Sequence, residues 1–138
     1  MSNYRWSIYE PDDPKVIEMG SIRKEEIMET FEQFSWIDRL RRMAGMKEDA
    51  ICFSPSLEFK NLDTEQGVSF SIVGTESDHE FYIFYTRPSL SETRGMFDPD
   101  EDYQVSDLTG QTKEDAVKFL NAFLNNDTVY LEEKIKNR

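Results

Sequence analysis

The chain has 138 residues and a net charge of −12, from 28 acidic against 16 basic side chains. That length suits one domain spanning residues 1–138, and the charge repels nucleic-acid phosphates and anionic membrane surfaces alike. Ten Phe, 6 Tyr, 2 Trp and 6 Met supply large core side chains and exclude wholesale disorder.

In chain order, "MSNYRWSIYE" has neither a basic start nor an apolar run, so no secretory signal is expected and the default location is cytoplasmic. "YRWSIYE" alternates, with Tyr4, Trp6 and Ile8 on one face of a strand, and "PDDP" ends it. Ser21 is placed to cap a helix whose first turn holds Glu25 and Glu26 near the positive end of its dipole. Ile27, Phe31 and Phe34 make its apolar face. Ser35 with Asp38 resembles a second capping pair, which predicts a break at "FSW". Trp36, Ile37, Leu40 and Met43 continue the apolar side, and Gly45 stops the helix.

From residue 50 the period changes to two. "AICFS" reads as a buried strand, with Cys52, the single cysteine, an inert thiol inside it. "LEFKNL" turns Leu57 and Phe59 to one face, and Glu58 and Lys60 to the other. "VSFSIV" turns Val68, Phe70 and Ile72 inward, and Ser69 and Ser71 outward. "FYIFYT" and "YQVSDL" complete an antiparallel meander. Thr112 with Asp115 opens another helix, with Ala116, Phe119, Leu120 and Phe123 on one side. "NND" interrupts, and Val129, Leu131 and Ile135 mark a last helix. The expected fold is α+β: an antiparallel sheet of about five strands, packed against an N-terminal helical region and C-terminal helices.

Chemistry leaves few marks. "FDPDED" gives Asp98, Asp100 and Asp102 the spacing of the first ligands of a calcium loop. Such a loop needs glycine at its sixth place and a bidentate carboxylate at its twelfth. Tyr103 and Thr109 stand there, so the segment reads as a solvated acidic loop with no metal assigned. His79 is the single histidine, and with one cysteine the chain has too few soft ligands for structural zinc. No G-x-S-x-G, phosphate-cradling loop or H-E-x-x-H occurs, and no cofactor is called for. Arg39, Arg41 and Arg42 in "DRLRRM" suit the negative end of a helix dipole.

"FYIFYTRP" is apolar on both faces. Phe81, Ile83 and Tyr85 take one side, Tyr82 and Phe84 the other. Such a strand is either covered on both faces or half-exposed as a binding strip. The simpler expectation lays the second helical region over Tyr82 and Phe84. The alternative is a shallow groove beside Ser69 and Ser71.

These features describe a non-enzymatic acidic interaction protein, such as an immunity- or antitoxin-type inhibitor covering a basic protein surface. The expected contact residues are Glu76, Asp78, Glu80, Asp98, Asp100, Glu101 and Asp102 in acidic loops, with Tyr82 and Phe84 as anchors. The competing class is a small hydrolase or ligand-binding domain with a pocket between the sheet and the first helix. One outcome follows from the incomplete calcium pattern: a calorimetric titration is expected to show no micromolar calcium affinity, and affinity lost in Asp98→Asn would contradict the loop reading.

Overall fold

The computed structural model describes residues 3–88 and 103–136. Strands β1 (Tyr4–Tyr9) and β2 (Ile17–Ile22) form a hairpin, followed by helices α1 (Lys24–Gln33) and α2 (Trp36–Ala44). A single 3-10 turn at Glu48–Ala50 precedes β3 (Ser56–Asn61), β4 (Gln66–Gly74), β5 (His79–Pro88) and β6 (Tyr103–Gln111), and the chain ends in α3 (Lys113–Leu124) and α4 (Thr128–Lys136). The strands make one sheet in the order β2-β1-β3-β4-β5-β6. Every neighbouring pair is antiparallel. Because β1 lies between β2 and β3, those two run parallel, and α1 and α2 provide the crossover that such an arrangement requires.

The fold is α+β as expected, with six strands where the sequence suggests about five. The unexpected strand is β2, "IEMGSI", at the sheet edge. Its mostly exposed residues impose no apolar alternation, so the period-two signal is missing. Ser21 is consequently not a helix cap: the ladder holds it opposite Arg5. The residue before α1 is Arg23, whose Nε donates to the Glu26 carboxylate at 2.7 Å. "AICFS" is not a strand either. It runs as a loop into β3, fixed where the Cys52 amide donates to the Pro11 carbonyl at 2.8 Å. Cys52 is exposed there, contrary to the buried thiol the apolar neighbours suggested.

The break at "FSW" is present. Phe34 is extended, and Ser35 precedes α2 without making a side-chain cap. Asp38 is drawn to Arg41 at 3.1 Å instead. What fixes the corner is Trp36, whose indole N–H donates to the Phe31 carbonyl at 3.1 Å inside the core. Around it, Phe31 meets Phe70 with ring centroids 5.0 Å apart, and Trp36 meets Phe81 at 5.1 Å. These edge-on contacts suit the ring quadrupoles and add to the burial of area. Further along, Phe119 of α3 packs edge-on against Tyr85, and Phe123 against Tyr4. α3 starts at the predicted cap: the Asp115 amide donates to Thr112 Oγ1 at 3.1 Å, and the Thr112 amide to the Asp115 carboxylate at 3.0 Å.

Phe31, Phe70, Phe81, Tyr85 and Tyr4 belong to one face of the sheet or pack on it, so α1, α2 and α3 lie together on that side. α4 joins them, since Glu132 pairs with Arg87, which stacks over Tyr85. Phe31 is fully buried at the centre of the aromatic cluster. Phe31→Ala is expected to cost about 3–5 kcal/mol, read as a lower urea midpoint at unchanged slope. An unaltered midpoint would contradict its place in the core.

Candidate functional site

The alternation of β3, β4 and β5 decides which side chains face away from the helices. Leu57, Phe59, Val68, Phe70, Ile72, Phe81, Ile83 and Tyr85 are buried beneath the helices. Their neighbours therefore emerge on the opposite, open face. Register aligns them into rows. Glu18, Ser7, Glu58, Ser69, Phe84 and Asp107 lie across the sheet in one row. Tyr9, Ser56, Ser71 and Tyr82 form the next. Arg5, Lys60, Gly67, Thr86 and Val105 form a third.

Tyr82 and Phe84 thus stand half-buried on a face over which none of the four helices lies. The expectation that the second helical region covers them is incorrect. α1 and α2 are drawn to the other face because Phe31 and Trp36 find Phe70 and Phe81 there. Two shallow hollows lie on the same face, where small residues of β4 keep the surface low. One of about 230 Å³ is lined by Tyr9, Phe53, Ser54, Ser56, Ser69 and Ser71. The other, of about 260 Å³, is lined by Glu58, Lys60, Glu65, Gly67 and Thr86.

The predicted acids divide. Glu80 lies opposite Val73 and shares the open face with Tyr82 and Phe84. Glu76 turns the other way, to α2, where Arg41 Nε donates to its carboxylate at 2.6 Å. The hydrogen bond from Arg41 is the main reason the Glu76 carboxyl sits below its ordinary range. Asp78 closes the β4–β5 turn through its backbone, its carbonyl accepting from the Thr75 amide at 2.8 Å. Gly74 is required there: its φ is +113°, and an added Cβ would lie 2.9 Å from His79 Cα. His79 is exposed, and its Nδ1 faces the carbonyls of Thr75 and Glu76 at 3.0 and 3.1 Å. Both are acceptors, so Nδ1 carries the proton. Asp98, Asp100, Glu101 and Asp102 lie outside the described residues. Among the described residues no three His, Cys, Asp or Glu side chains converge as metal ligands, and no helix is long and apolar enough to cross a membrane.

The arginines of "DRLRRM" are held by local acids. Arg39 grips the Glu10 carboxylate with Nε at 2.8 Å and Nη2 at 2.9 Å, and Arg42 adds Nη2 at 2.8 Å. The Arg39 guanidinium also lies 3.7 Å from the centroid of Phe34. This clamp ties the end of β1 to α2. Burial alone would raise the Glu10 carboxyl, but the hydrogen bonds and charges of Arg39 and Arg42 outweigh it and hold the group below the ordinary range.

The space between the sheet and α1 is filled by Ile27, Phe31, Phe70 and Phe81. Three larger hollows among the described residues lie beyond the open face. In one, of about 360 Å³, Asn61 accepts from the amides of Asp63 and Thr64 and donates to Tyr4. In a second, of about 690 Å³, Arg87 is bound to Glu132, Ser106 and the Tyr85 carbonyl. The third, of about 440 Å³, is an open hollow along α4, lined by Val129, Glu132, Glu133, Ile135 and Lys136.

No family model matches the chain, and neither a curated protein nor a solved structure matches it significantly. The open face therefore has to be read from its own chemistry. Sequence reasoning passed over Tyr9, Phe53 and Glu58 as contributors. Phe53 was hidden by the strand reading of "AICFS". The outward Glu58 was visible in "LEFKNL", but its row-mates needed the register.

The Glu10 clamp yields a pH prediction. The folded carboxyl binds its proton less readily than the unfolded one, so ionised Glu10 stabilises the fold above its unfolded pKa. That contribution is lost as pH falls through the lower folded value. Glu10→Gln is expected to cost about 1–3 kcal/mol near neutrality, with the gap to the native chain closing in acid. Urea midpoints across a pH series check this; a gap that stays constant would contradict it.

Proposed function

We propose that this chain is a protein-binding module that docks its open sheet face on a basic protein surface, as an inhibitor or immunity-type partner does. The supporting observation is a sheet face that no helix covers among the described residues. Half-buried Tyr9, Phe53, Tyr82 and Phe84 lie among Glu18, Glu58, Glu80 and Asp107, and Arg5 and Lys60 answer that charge only in part. Aromatic side chains supply contact area at little entropic cost and dominate interface energies. Acids around them desolvate poorly against another acid and favour a cationic surface. The net charge of −12 extends the same preference to longer range.

Size points the same way. Hollows of about 230 and 260 Å³ fall below the roughly 300–1,000 Å³ of small-molecule sites. They fit protruding side chains of a partner.

The test compares the native chain with the double variant Tyr82→Ala, Phe84→Ala, its fold verified by circular dichroism. Both are immobilised and offered a lysate of the source cells, and retained proteins are identified by mass spectrometry. A basic protein held by the native chain and lost from the variant is expected. Its association with the native chain should slow steeply with salt, since screening shortens the field to about 8 Å at physiological ionic strength, and should slow again with Glu80→Lys, Asp107→Lys. A partner retained equally by both chains, or an on-rate indifferent to salt and to the charge reversal, would overturn the proposal.

A further inference from the structure

The slot between Tyr9 and the serines of β3 and β4 has one wall whose hydrogen bonds run in a fixed direction. Ser56 Oγ donates to the Ser54 carbonyl at 2.7 Å. Its one proton is thereby used, so the 2.6 Å contact between Ser56 Oγ and Ser71 Oγ has Ser71 as the donor. Ser71 then has no proton left for the slot, only lone pairs. The chain of bonds Ser71 to Ser56 to Ser54 strengthens this polarity. Glu58, next to Ser56 on the same face of β3, lines the neighbouring hollow with Lys60 and meets the edge of the slot at the Tyr9 hydroxyl. It is half-buried, and no basic side chain lies within ion-pair distance of it among the described residues. It accepts a long bond from the Tyr9 hydroxyl at 3.4 Å. Tyr9 and Phe53, edge to face at 5.1 Å, form an aromatic wall.

The slot therefore presents the lone pairs of Ser71, flat rings and, at its edge, the negative charge of Glu58, with the Ser54 and Ser69 hydroxyls also in its lining. A ligand that satisfies all three brings several donors, a positive charge and a planar cation. We infer that the slot receives an arginine side chain of the basic partner, its guanidinium paired with Glu58 and bonded to Ser71 between the rings of the open face. Arginine suits it better than lysine, because its planar fork stacks on aromatic rings, pairs with a carboxylate through two bonds and carries a weaker hydration shell. The inference rests on the proposed docking face and names its central contact.

The test uses the isolated full chain and a defined probe. Amide signals are followed by ¹⁵N correlation spectroscopy while N-acetyl-arginine methylamide is added, with the matched lysine and citrulline amides as controls. Saturable shifts at Ser54, Ser56, Glu58, Ser69 and Ser71 are expected with arginine, at millimolar affinity. The lysine amide should bind several-fold more weakly. The neutral citrulline amide should leave the slot unchanged. Glu58→Gln should weaken the arginine amide about tenfold, as loss of a charge-assisted bond implies, whereas Glu76→Gln on the far side should not alter it. Absence of shifts at tens of millimolar, equal response to lysine, or an arginine-amide affinity unchanged by Glu58→Gln would each overturn the slot assignment. If a basic partner still requires Tyr82 and Phe84 in that event, the docking face stands and the arginine slot alone fails.

Discussion

The bond from the Trp36 indole to the Phe31 carbonyl settles more of this molecule than any other single contact. Phe31 lies in the last turn of α1 and Trp36 opens α2, and the carbonyls at the end of α1 need donors. Trp36 provides one from within the core, at 3.1 Å. The same ring then closes on Phe81, and Phe31 on Phe70. Both helices are thereby committed to one side of the sheet. The clamp of Arg39 and Arg42 on Glu10 secures α2 to the end of β1 from outside the core. α3 completes the layer through Phe119 and Phe123. With the helices spent on that side, the other face keeps its half-buried rings and its serines.

Charge follows a related division. On the helix side, acids are matched: Glu10 with Arg39 and Arg42, Glu76 with Arg41, Glu132 with Arg87. The exposed pair of Glu76 with Arg41 adds little stability, unlike the more buried Glu10 clamp, but each pairing removes both members from recognition. The notional cluster of Glu76, Asp78 and Glu80 is divided accordingly. Glu76 is neutralised by α2, Asp78 serves a turn, and only Glu80 shares a surface with Tyr82 and Phe84. Charge counted along the chain overstates what a partner meets, because a loop that looks uniformly acidic faces two directions.

Much of the fold was legible because burial on one face imposes a period. β3, β4 and β5 are each half-buried, so their alternation was visible, as was the capping box at Thr112 and Asp115, which is purely local chemistry. β2 escaped because an exposed edge strand has no apolar period to show. "AICFS" misled for the opposite reason. Its apolar residues pack individually along a loop, Phe53 on Tyr9, without forming a ladder. Ser21 and Ser35 have cap chemistry, but the ladder claims one, and Asp38 is diverted from the other by Arg41. Of the candidate face, the outward set Ser69, Ser71, Tyr82 and Phe84 was visible in sequence. Its partners on β1 and in the loop before β3 were not, since they meet only through the placing of β3 beside β1.

Sheets offer partners two kinds of surface, an edge and a face, and this one impedes the first. β2 is paired to β1 with a register shift at Trp6 and Ser7, and Gly20 takes a φ of +89°. β6 has a shift opposite Phe81 and Ile83, and Gly110 takes a φ of +68°. Such irregularities break the straight row of donors and acceptors that an added strand would need. The exposed charges of Glu18 and Asp107 guard the same edges. Among the described residues the face carries no comparable obstacle. Its central strands β3, β4 and β5 are regularly registered, and Ser69, Ser71 and Gly67 keep its middle low between taller side chains. For the docking proposed above, the relief of this face favours insertion of side chains from a partner over addition of a strand at either edge.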